Sequence, residues 1–109
     1  MRCMMKVSIP VERGNEAARE GTLGRTVEAI LADLNPETAY FTAMNGQRTG
    51  FIVFDLKDQS QIPAVAEPWF LAFNASLEFH PCMNLEDLKK GASGIERAVK
   101  NYRELKRAA

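Results

Sequence analysis

"TAYFTAMNGQRTGFIVFDL", Thr38 to Leu56, is the stretch whose reading decides the fold. Two runs rich in aromatic and β-branched residues flank Asn45-Gly46. That dipeptide is preferred in a two-residue type I′ turn, where both central residues need positive φ. With Asn45-Gly46 as the loop, Met44 faces Gln47, Thr42 faces Thr49 and Tyr40 faces Phe51. One face of the hairpin then carries Tyr40, Thr42, Phe51, Val53 and Asp55. The other carries Ala39, Phe41, Ile52, Phe54 and Leu56.

Upstream, "CMMKVSIPV" (3–11) alternates, with Cys3, Met5, Val7, Ile9 and Val11 on one parity and Met4, Lys6 and Ser8 on the other. A period of two predicts a strand with one apolar face, ending near Pro10. Between it and the hairpin, Leu23, Val27, Ile30, Leu31 and Leu34 recur at helical spacing and Asn35-Pro36 ends the pattern. Gly21 and Gly24 weaken the first half of this helical segment, which predicts a break or a close backbone approach there. They build no phosphate-binding glycine motif with Gly14.

Downstream of the hairpin, Ile62, Val65, Ala66, Trp69, Phe70 and Phe73 form the stripe of a second helix. Asp58 or Ser60 is its expected cap and Pro63 fits its first turn. Pro68 inside the pattern predicts a kink or a short break. "ASLEFHPCM" (75–83) alternates as a fourth strand, with Leu77 and Phe79 opposed to Glu78, His80 and Cys82. Asn84 with Asp87 then makes a capping box for a C-terminal helical segment whose apolar positions are Leu85, Leu88, Ala92, Ile95, Val99 and Tyr102. Gly91, followed by Ser93 and Glu96, predicts a bend into a second helix.

The order β-α-β-β-α-β, plus C-terminal helices, predicts an α+β, ferredoxin-like sandwich filling one domain, residues 1–109. A four-stranded antiparallel sheet of order 4-1-3-2 is covered by helices on one face. Val7, Ile9, Phe41, Ile52, Phe54, Leu77 and Phe79 are expected beneath the helices. Lys6, Ser8, Tyr40, Thr42, Phe51, Val53, Glu78 and His80 make the opposite face, which is too apolar for water and too polar for a core. A second subunit, the C-terminal helix, a ligand or, as a remote alternative of the RNA-recognition kind, RNA is expected to cover it.

Fourteen basic and fourteen acidic side chains leave a formal net charge of zero. This argues against nucleic acid as a partner, as does strand one, which has no aromatic for base stacking. The basic end, with Arg97, Lys100, Arg103, Lys106 and Arg107 beside Glu96 and Glu104, is expected to be a solvated helix face. No leader or membrane span is expected, and two distant cysteines of opposite parity predict no disulfide; a reduced, cytoplasmic protein is the default. A single histidine without a second ligand at helical spacing predicts no metal site, and no cofactor is expected.

The order of elements, the mixed sheet face and the extra C-terminal helix resemble the dimeric α/β-barrel superfamily, in which two sheets pair face to face. The resemblance implies a homodimer. It places the chain beside muconolactone isomerases and cofactor-independent monooxygenases, with no catalytic motif that transfers to particular residues. More narrowly, "RTGFIVFDL" with "IPAVAEPWFLAFNASLEFHPCM" resembles a small bacterial family of uncharacterised single-domain proteins, over nearly the whole chain.

The mixed face holds the candidate chemistry. His80 and Glu78 share it, about 6.5–7 Å apart along the strand, which is too far for a direct short pair but close enough to line one pocket. An imidazole ordinarily titrates near ~6.5, so His80 flanked by a carboxylate and a lysine suits proton transfer beside a carbonyl. Lys6, Ser8, Tyr40, Thr42 and Phe51 are the candidate walls of a small-molecule pocket there. The competing reading makes His80 a dimer-interface residue and the protein an interaction module without turnover. Trp69 reads as core or subunit contact, and Cys82, flanked by Pro81 and Met83, shows nothing that would activate a thiol.

Overall fold

In a computed structural model, residues 1–108 are described as backbone and residues 1–103 with their side chains. Strand β1 (Arg2–Ile9) leads through Pro10 into helix α1 (Val11–Glu20) and then α2 (Leu23–Leu34). The hairpin β2 (Thr38–Met44) and β3 (Gln47–Asp55) follows, then a short 3₁₀ turn (Gln59–Gln61), α3 (Ile62–Phe73) and β4 (Ser76–Pro81). Helices α4 (Leu85–Lys90) and α5 (Ala92–Ala108) end the described chain.

The hairpin forms in the register that Asn45-Gly46 demands, Met44 opposite Gln47 and Tyr40 opposite Phe51. Asn45 and Gly46 both sit at positive φ, 53° and 74°. The sheet is antiparallel in the order β2-β3-β1-β4, which is the expected order written from the other edge. β1 lies at its centre, pairing Lys6 with Phe51 on one side and with Glu78 on the other.

The first helical segment is two helices. Gly21 breaks it in the left-handed region, φ 75°, and its N–H returns to the carbonyls of α1. Gly24 meets no other backbone, so the break at Gly21 is the operative feature. Val11 belongs to α1 and is exposed, because Pro10 supplies the fixed φ that starts a helix there. α3 runs unbroken through Pro68. One lost backbone hydrogen bond is outweighed by Trp69 and Phe73, both about 1% exposed, whose burial is worth roughly 1.5–3 kcal/mol each. Asp58 caps the 3₁₀ turn in a box with Gln61, and Asn84 with Asp87 caps α4 as expected.

The core lies between sheet and helices: Cys3, Met5, Val7 and Ile9 of β1, Ile52 and Phe54 of β3, and Trp69 and Phe73 of α3. Leu77 and Phe79 pack partly buried against it. Phe41 departs from expectation. It has the parity of the covered face but is 57% exposed, on an edge strand. Its ring instead folds over Gly50, where a Cβ would lie 3.0 Å away.

The C-terminal helices leave this body. Arg2 ties α4 to the sheet, bridging Glu37 at 3.0 Å and Asp87 at 3.3 Å. Beyond that, Leu85, Ile95, Val99 and Tyr102 are all more than half exposed. The described chain is 61 Å long against 30 and 23 Å in the other directions. Arg97, Lys100 and Arg103 are exposed as expected; the side chains of Glu104, Lys106 and Arg107 lie outside the described residues.

Candidate functional site

Strand alternation fixes what each sheet face presents. On the open face, adjacent strands line up in rows: Thr38, Val53, Met4 and His80; then Tyr40, Phe51, Lys6 and Glu78; then Thr42, Thr49, Ser8 and Ser76. All seven candidate site residues are therefore on one surface. Three of them touch. Glu78 stands between Lys6, whose Nζ is 3.5 Å from Oε2, and His80, whose Nε2 is 3.2 Å from Oε1. Its carboxyl is held below the ordinary range, first by the hydrogen bond with His80 and then by the charge of Lys6. Tyr40 is 70% exposed at the edge of the sheet, with β3 and β1 between it and Glu78. Glu78 and His80 are themselves more than half exposed, so nothing within one chain encloses them.

The larger concave space, open to solvent along one side, is on the other face. α2 keeps none of its residues buried, although Leu23, Val27, Ile30, Leu31 and Leu34 all turn inward and are partly covered. It stands off the sheet, and a cavity of about 610 Å³ opens beneath its first half. Val7, Ile9, Leu23, Val27, Phe41 and Trp69 are its apolar walls, joined by Arg48 and Glu28. Of the seven candidates, Thr42 alone borders it. A second space of about 360 Å³ lies farther along α2, between Ile30, Leu34, Phe54 and Val65.

Two polar groups belong to residues that wall the larger cavity. The indole Nε1 of Trp69 is buried and has no hydrogen-bond acceptor. Arg48 lies on the same parity of β3 as Gly50, Ile52 and Phe54, the covered face, where a cation is unusual. Its guanidinium crosses Gly14 of α1 so closely that a Cβ there would sit 2.5 Å from Nη1, and Nη2 donates to Asn15 Oδ1 at 3.1 Å. That one charge on an apolar parity was the legible sign of a site on this face, and reading β3 for its apolar residues alone passed over it.

Both cysteines are free thiols, and burial pushes that of Cys3 up. Among the described residues no cluster of three or more His, Cys, Asp or Glu is placed to hold a metal ion, and no helix is long and apolar enough to cross a membrane.

The family model for a domain of unknown function, DUF3303, matches residues 1–95. The chain belongs to this family. The match takes in the whole sheet, the cavity walls, the Lys6–Glu78–His80 cluster and the start of α5; residues 96–108 lie beyond it. No curated protein matches the chain.

Proposed function

We propose that the protein is a homodimer whose open sheet faces pack together, and that each copy binds a small organic molecule in the cavity beneath α2. The cavity carries this reading. A space of about 610 Å³ falls in the range of small-molecule sites and is walled mainly by apolar side chains. The expected pocket thus moves from the open face of the sheet to the covered one. The open face becomes the surface on which Phe51, Val53 and Tyr40 meet a second copy.

Trp69 is the chain's one tryptophan and a wall of the cavity, so its emission reports occupancy. Titration with decanoate or decanamide should change that emission saturably, at one molecule per chain. Val27→Phe fills the cavity from α2; it should abolish the change while the melting temperature holds or rises. Binding undiminished in that variant would place the ligand elsewhere and remove the basis for this reading.

A second reading is favoured by the contact of Glu78 with both Lys6 and His80. Covered by a partner's sheet, His80 would take a proton from a carbon next to a carbonyl and return it, with Glu78 orienting the imidazole and Lys6 facing the developing oxyanion. Returned to a different carbon, the proton completes a cofactor-free isomerisation; a monooxygenase reaction would instead need dioxygen to capture the carbanion as the oxidant. His80→Ala would abolish such turnover and leave binding beneath α2 intact. Loss of binding in that variant would count against two separate sites.

A further inference from the structure

Arg48 brings a positive charge to a wall that is otherwise mainly hydrocarbon. It is half-buried, and among the described residues no carboxylate lies within 4.0 Å of its guanidinium. Its named partner is the neutral Asn15, which takes one of five N–H donors. A partly desolvated guanidinium without a counterion is an unfavourable arrangement in an apo protein and a favourable one for a planar anion, which it can hold through two parallel hydrogen bonds. Trp69 walls the same cavity with apolar ring surface. Glu28 also borders the cavity, from the exposed side of α2, where water screens its charge.

We propose that the cavity beneath α2 takes an apolar monocarboxylic acid. The carboxylate pairs with Arg48, and an aliphatic or aromatic body lies along Val7, Ile9, Val27, Phe41 and Trp69. The proposal rests on the reading of this cavity as a ligand site and adds the charge and shape of the ligand's head. Gly14 acquires a reason. It is a glycine inside a helix because the guanidinium occupies the place of its Cβ.

The test compares decanoate with decanamide at pH 7.5, by emission of Trp69 and by calorimetry. The two share a tail and a carbonyl acceptor and differ in charge. Decanoate should bind at least about tenfold more tightly, as a charge-assisted pair exceeds a neutral one. Arg48→Met should erase the preference by weakening decanoate alone. Arg48→Lys, which keeps the charge and loses the planar fork, should leave part of it. Equal affinities in the unaltered protein, or a preference that survives Arg48→Met, would overturn the assignment of the carboxylate while leaving the cavity a ligand site. No saturable response to either compound would overturn both readings. The comparison on the unaltered protein stands even if a variant fails to fold.

Discussion

Glu78 shows what a single side chain contributes on the open face. Its carboxyl is held low by His80 and Lys6, so its folded-state pKa lies below its unfolded one. The stability it adds is therefore fully present above the ordinary glutamate value, near 4.5, and is lost as pH falls through the lowered folded value. Glu78→Gln should lower the urea midpoint slightly at pH 7, and the gap to the unaltered protein should close toward pH 3. A constant gap at both pH values would mean that the glutamine disturbs packing rather than charge. The effect is small because the group is exposed and salt screens it. The contact of Glu78 with His80 at 3.2 Å corrects the expectation from their i, i+2 spacing of about 6.5–7 Å, which allowed no direct pair. The common face of His80, Glu78 and Lys6 was legible from strand parity and register alone. That they would be open to solvent was not, because parity assigns a face and says nothing of what lies across it.

At the level of elements, the period of α2 correctly named Leu23, Val27, Ile30, Leu31 and Leu34 as its inward stripe. It could not give the distance between helix and sheet. That distance depends on side chains from other elements, and the space it leaves is walled by Trp69 of α3 and Phe41 of β2 as well as by α2 itself. The hairpin and the α4 cap were readable because each is dictated by a few adjacent residues: Asn45-Gly46 at positive φ, and Asn84 with Asp87. α1 is the element where sequence and site pull in opposite directions. Ala in place of Gly14 should favour the helix by about 1 kcal/mol. The new methyl would also displace the guanidinium of Arg48, whose atoms are the nearest neighbours at that point. Gly14→Ala is therefore expected to raise the urea midpoint or leave it unchanged while weakening decanoate and sparing decanamide. Unaltered decanoate affinity would show that the seat of Arg48 has no part in binding.

For the whole molecule, shape is the telling quantity. The Cα radius of gyration is 18.8 Å, where a compact chain of about 100 residues has ~13 Å. The excess comes from α5, whose Ile95, Val99 and Tyr102 follow one helical face and are each more than half exposed. A 17-residue helix spans about 25 Å, long enough to reach across a partner's sheet. Light scattering should give twice the 12.2 kDa of the chain. Val53→Lys on the sheet, or Val99→Asp on α5, should yield monomers that keep the far-ultraviolet spectrum and melt at lower, concentration-independent temperatures. A monomer in the unaltered protein would remove the dimer from the proposal and leave the cavity beneath α2 as it stands.

The central place of β1 bears on how the chain comes into being. Of the four strands of this sheet, the first to leave the ribosome is the one that the finished sheet flanks on both sides, by β3 and by β4. During synthesis, β2 and β3 can zip locally across Asn45-Gly46, and β1 can then join β3. The other edge of β1, from Cys3 to Ser8, stays unpaired until the segment Ser76–Pro81 has been made. For that interval the nascent chain presents a strand edge backed by Met5 and Val7, the kind of surface that recruits other chains or a chaperone. The last strand therefore does more than complete a sheet: its arrival ends the period in which the newborn protein is most prone to aggregate.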